Sequence, residues 1–172
     1  MPPNPPWFGS TEIGLTLTTS ARKESERIVK VLHDCEEWER KSLLPFAQQQ
    51  LEKHGEFFPF AASIDTSGAI AMVAVDLDEK QPPSTDVIES LYEVLARSAA
   101  SGEIRAAGIC ADVRITPPGS AVQTDAIRTA IEHAQGDPVE VLVPYAKKRI
   151  RGFQFGDLFA QAGTARIFLR SA

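Results

Sequence analysis

Asp76-Leu77-Asp78-Glu79 is the stretch of this 172-residue chain that comes nearest to a reaction centre. Two carboxylates spaced i, i+2 at the end of an apolar run can share a hard cation such as magnesium. The same residues also suit turn chemistry, in which aspartates ahead of a helix form a solvated acidic loop. A second feature runs against the composition. Lys147-Lys148-Arg149-Ile150-Arg151 sets four cations in five residues of a chain whose formal net charge is -5. That marks Lys147, Lys148, Arg149 and Arg151 as a candidate contact for an anion or an acidic protein partner. Read as a solvated strand end, the same cations keep a sheet edge from pairing with other chains.

Other residues that could do chemistry do not converge. Cys35 and Cys110 are the only cysteines and fall in different expected elements without CxxC spacing, which suits two reduced core thiols. His33, His54 and His133 are equally scattered, so no metal cluster is read. Cys110 falls on the polar side of its expected strand and His133 on the apolar side of its own, which separates them as a dyad. Phosphate loops of the GxxxxGK[ST] and GxGxxG types and a GxSxG elbow are missing from the sequence. No cofactor and no catalytic set is therefore expected.

Size and charge narrow the partners. With 43% hydrophobic and 24% charged residues, the chain reads as a globular protein of one domain. An acidic chain is repelled by phosphate backbones and anionic lipid surfaces, so nucleic acid and membrane are not expected partners. The start has neither a basic region nor a continuous apolar one, and residues 69–75, the longest apolar run, are too short to span a bilayer. A cytoplasmic location is the expectation.

The elements that must position these groups follow from periodicity. Residues 1–19 read as a Pro-rich arm, with an alternating stretch at 12–18 (Ile13, Leu15, Leu17) that could add an edge strand; residues 20–172 form the domain. Ser20 can cap a helix with the stripe Ile28, Val31, Leu32, Cys35 and Trp38. Pro45 ends it and opens a second piece over 46–53, stopped by Gly55. Apolar runs at 57–64 and 69–76 flank the turn Asp65-Thr66-Ser67-Gly68 and predict a hairpin. Its second strand is apolar on both sides, which predicts a central position.

Ser84 is the expected N-cap of an amphipathic helix striped by Val87, Ile88, Leu91, Val94 and Leu95 and closed by Gly102. Three further runs, at 106–115, 126–134 and 139–145, predict a meander. A register setting Ile115 near Asp125 would bring Asp112 opposite Arg128. Phe153, Phe155, Leu158 and Phe159 are expected to bury themselves under the sheet, with Ile167-Phe168-Leu169 to pack on them.

The fold class is thus α+β: an antiparallel sheet of about five to six strands with two amphipathic helices, in the order α-β-β-α-β-β-β. That order resembles the profilin-like group, which includes roadblock-type and GAF-type domains and implies a five-stranded antiparallel sheet between helices. The segments Gly55-Glu56-Phe57-Phe58-Pro59-Phe60 and Val141-Leu142-Val143-Pro144-Tyr145 resemble strands of small bacterial proteins to which no activity is attached. Asp76 and Asp78 resemble the Asp-x-Asp of haloacid-dehalogenase-type phosphatases, although Lys80 stands where that motif has Thr or Val. With both helices placed on one face, Val73 and Val75 need cover from a homodimer partner or from the C-terminal segment. The leading expectation is a non-enzymatic protein-binding or regulatory module. A GAF-type small-molecule sensor, with its pocket under the helix at 84–101, and a magnesium-dependent phosphatase using Asp76 and Asp78 are the alternatives.

Overall fold

A computed structural model describes residues 43–75, 77, 80 and 82–169. The N-terminal arm, the alternating stretch at 12–18, the helix stripe with His33 and Cys35, and Asp76, Asp78 and Glu79 lie outside the described residues. The order is α1 (Leu43–His54), β1 (Phe60–Asp65), β2 (Ile70–Val73), α2 (Ser84–Ala100), β3 (Ile104–Ile115), β4 (Thr124–His133), β5 (Val139–Lys147), β6 (Phe153–Phe155) and β7 (Phe159–Ala162). The fold is α+β, and the described residues form a seven-stranded antiparallel sheet ordered β2-β1-β3-β4-β5-β6 with β7 also on β5. Among the described residues, no helix is long and apolar enough to cross a membrane.

Local chemistry explains the element ends. Pro45 lies near the first described residue of α1. At the other end Gly55 takes φ 80 and donates its N–H to the Leu51 carbonyl at 2.8 Å. In the β1–β2 turn, Asp65 Oδ1 accepts from Ser67 N (2.8 Å), Ser67 Oγ (2.6 Å) and Ala69 N (2.9 Å). These bonds, the Ser67 hydroxyl first, hold the Asp65 carboxyl below its ordinary range. Ser84 is the first helical residue of α2 rather than its cap; Pro83 holds the cap position, with no side-chain cap bond.

Among the described residues, α1 and α2 lie on opposite faces of the sheet, while the helix expected to share a face with α2, striped by Ile28, Val31, Leu32, Cys35 and Trp38, lies outside them. Leu43 and Leu44 of α1 meet Ile127, Thr129, Ile131, Val141 and Val143, all on one face by strand register. On the other face, α2 packs Val87, Leu91, Tyr92 and Leu95 inward. Burying each large aliphatic of that stripe contributes about 1.5–3 kcal/mol. Val73 and Val75 are half-buried against the core, so the helix on their own face removes the need for outside cover there.

Two further expectations change. Among the described residues the second hairpin strand is the sheet's edge, not its centre: only Ile70–Val73 pair, and Ala71 and Met72 are exposed. The β3–β4 register is one residue from the expected one, with Ile115 opposite Thr124, Asp112 opposite Ile127, and Arg128 opposite Ala111. A one-residue slip exchanges faces, so Asp112 and Arg128 lie on opposite sides of the sheet.

Past β5 the chain builds an edge in two pieces. Tyr145 pairs with Phe155, but Leu142 pairs with Phe159, so one extra residue is accommodated between them. The break falls at Pro144, which has no N–H to give and accepts from Gly156 N at 2.7 Å. The closing segment 163–169 then crosses the α2 face. There the buried Glu132 carboxylate accepts the backbone N–H groups of Arg166 (2.8 Å), Ile167 (2.9 Å) and Phe168 (3.1 Å). The Arg166 guanidinium stacks 3.8 Å from the Tyr92 ring centre and forks onto Glu89 at 3.1 and 2.6 Å, locking α2 to the strap.

Candidate functional site

The basic run forms the tip of the β5–β6 hairpin. β5 ends at Lys147, and Lys148 N donates to the Gly152 carbonyl at 2.9 Å, closing the connection. Gly152 takes φ 85, a left-handed step that a side chain would resist. Lys147, Lys148, Arg149, Ile150 and Arg151 are all exposed, and Ile150 is 99% so. An isoleucine at a tip rimmed by four cations can seat in an apolar notch while its neighbours meet carboxylates.

The root of this hairpin is held firmly. Tyr145 meets Phe153 edge-on at 5.7 Å between ring centres and lies 6.2 Å from Phe155. Phe153 and Phe155 are half-buried against the core, but as part of an edge strand rather than beneath the sheet, and Leu158 and Leu169 are exposed, contrary to the expected burial. The Tyr145 hydroxyl donates to Asp112 Oδ1 at 2.8 Å. Burial pushes the Asp112 carboxyl above its ordinary range, the Tyr145 bond opposes this, and the charge of Asp125 adds to it. The Tyr145 phenol is also pushed up, by burial first and then by Asp112. The tip is therefore a charged platform on a stiff base.

A second surface lies at the opposite edge of the sheet. Between α1 and β2 runs a groove of ≈ 730 Å³ walled by Pro45, Phe46, Gln49, Phe60, Ile70 and Met72. A cleft of ≈ 400 Å³ continues it past Phe57 and Phe58 to Val87 at the start of α2. Phe46 and Phe60, edge-on at 4.9 Å, form the ridge between the two. The larger groove lies on the α1 side rather than beneath α2, where the sequence placed a sensor pocket.

The remaining candidates serve the fold. Cys110 is fully buried with Thr129 Oγ1 3.8 Å away, and burial pushes its thiol up to about 12, so it stays protonated at neutral pH. Cys110 and His133 share the α1 face, contrary to the sequence reading, but His133 pairs with Ala106, four residues along β3 from Cys110. That spacing is about 13 Å at ~3.3 Å per residue, too far for a dyad. His133 is buried and accepts from Gln135 N at Nδ1 (3.0 Å). Among the described residues, no group of three or more His, Cys, Asp or Glu could hold a metal ion. Sequence reasoning missed the Glu132 clamp and the groove. The available signal for the first was a charged residue breaking the apolar run Ala130-Ile131.

No protein-family model, no curated protein and no solved structure matches this chain.

Proposed function

We propose that the chain is a non-enzymatic binding module that takes an acidic protein partner on the β5–β6 hairpin. The observation that carries this reading is Ile150, 99% exposed amid Lys147, Lys148, Arg149 and Arg151 on a root fixed by Tyr145, Phe153 and Phe155. Four clustered cations steer an acidic segment from about a Debye length, ~10 Å at 0.1 M salt, and the isoleucine adds a salt-insensitive contact. The buried thiol of Cys110 goes with a cytoplasmic setting. The profilin-like grouping rests on the order helix, hairpin, helix, meander and on helices covering both faces.

The test is fluorescence anisotropy with a glutamate-rich, leucine-containing peptide at 50 and 300 mM salt. Changing Lys147, Lys148, Arg149 and Arg151 together to Gln should weaken binding about tenfold or more and flatten the salt dependence. Ile150→Ser should weaken it at both salts alike. Equal binding by wild type and the quadruple variant would sink the proposal. A small-molecule sensor is the second reading, favoured by the volume of the groove beside Phe46 and Phe60, which falls in the range of ligand pockets. Native mass spectrometry of protein purified without added ligand separates the two: a reproducible excess mass supports the sensor.

A further inference from the structure

We infer that the β2 edge is where two copies of this chain join, by antiparallel pairing of β2 with β2 about a two-fold axis. Most sheet edges are guarded by charge, proline or a bulge. The β6–β7 edge has such guards: the bulge opposite Pro144, the glutamines Gln154 and Gln161, and the cationic hairpin tip. β2 has none. Residues 69–75 carry no charged side chain, Ala71 and Met72 are exposed, and β2 pairs on one side only, with β1, among the described residues. The residues beside it in the groove, Pro45, Phe46, Gln49 and Phe60, are uncharged as well. A chain of net charge -5 approaches its own copy most easily over a neutral face, and this edge is one.

The register admits a second copy about a two-fold axis. Antiparallel pairing that continues the sheet must set residues of the same face opposite each other, as Ala62 with Met72 and Ser63 with Ala71 already are. A two-fold axis through Met72 meets this condition. It places Met72 against its own counterpart, Ala71 against Val73 and Ile70 against Ala74, so each branched side chain faces an alanine. Both copies then present the same face, and their grooves merge across the axis with the methionines as the shared floor. Methionine suits that place because it fills irregular apolar space without a fixed shape. The contact is isologous and independent of the basic hairpin.

Analytical ultracentrifugation of the full chain from 1 to 100 μM tests this, alongside Met72→Lys and Met72→Cys. Wild type should sediment at about twice the 18.7 kDa of one chain. Met72→Lys puts like charges opposite each other in an apolar setting and should raise the dimer dissociation constant about tenfold or more, with unchanged circular dichroism. Met72→Cys should form a disulfide-linked dimer under mild oxidation, since Cα atoms of a hydrogen-bonded antiparallel pair lie about 5.5 Å apart, within disulfide range. Wild type, which retains Cys35 and Cys110, is the control and should not cross-link. If Met72→Lys fails to fold, Ala71→Lys replaces it at the neighbouring exposed position. A monomeric wild type would overturn the inference, as would a dimer that survives the lysine variants and does not cross-link through position 72.

Discussion

Replacing Glu132 by Ala removes the acceptor that organises the C-terminal strap, and the structure permits an estimate of the loss. Three backbone N–H groups end on its two oxygens at 2.8, 2.9 and 3.1 Å. A hydrogen bond to a charged group contributes about 1.5–3 kcal/mol, but simple addition overstates the effect. The Arg166 and Phe168 amides are only part-buried and can regain water, so about 1 kcal/mol each is retained as their share. Ile167 is 3% exposed, and its N–H left dry carries a desolvation penalty of about 1–3 kcal/mol. The expected loss is about 3–5 kcal/mol, a third or more of the stability ordinary for a domain. Urea unfolding should show the midpoint falling by about 2 M, for a slope near 2 kcal/mol/M. Glu132→Gln keeps one acceptor oxygen and should fall between wild type and Ala. Amide exchange should quicken first at residues 166–168 and last in β3. A midpoint shift below about 0.5 M for Glu132→Ala would refute the claim that this carboxylate holds the strap.

Two further outcomes follow from titratable groups on the α1 face, Asp112 at its solvent-exposed margin and Cys110 in its interior. The Asp112 carboxyl is raised in the fold, so its contribution to stability is full below the unfolded carboxylate pKa and is lost as pH rises through the raised value. Asp112→Asn, which still accepts from Tyr145, should flatten the melting profile on that acid side and leave stability at pH 7 equal or higher; a lower value at pH 7 would contradict it. Cys110, pushed up to about 12 and fully buried, should react with a thiol reagent at pH 7.5 only as fast as the protein unfolds, measured in a Cys35→Ser background. A fast reaction in native buffer would show that the thiol is reachable.

The sequence made α2 and the meander legible because each pattern is long enough to declare its period. Val87, Leu91 and Leu95 recur over three turns, and β3 and β4 run for twelve and ten residues. The helix sidedness was not legible, since a stripe says which side of a helix is buried but not which face of the sheet receives it. β2 misled for a related reason. Apolarity on both sides records a demand for cover, and α1 and α2 supply part of that cover at an edge as well as at a centre. β6 and β7 are three and four residues long, too short to show a period, and the bulge between them breaks the alternation. For the site, four cations in five residues were legible as a surface feature, whereas the Tyr145–Asp112 bond joins residues 33 apart and needs the fold to bring them together.

The unequal guarding of the two sheet edges also bears on how far self-association can proceed. A sheet open at both ends can recruit a neighbour on each side and grow into a fibre. Here the bulge opposite Pro144 and the charged hairpin close one end, so a copy joined through β2 offers the next molecule only its guarded side. In the proposed pair, assembly by strand addition would halt at two, and a loss of the bulge, rather than a change at β2, is the alteration that would turn such a pair into a polymerising unit.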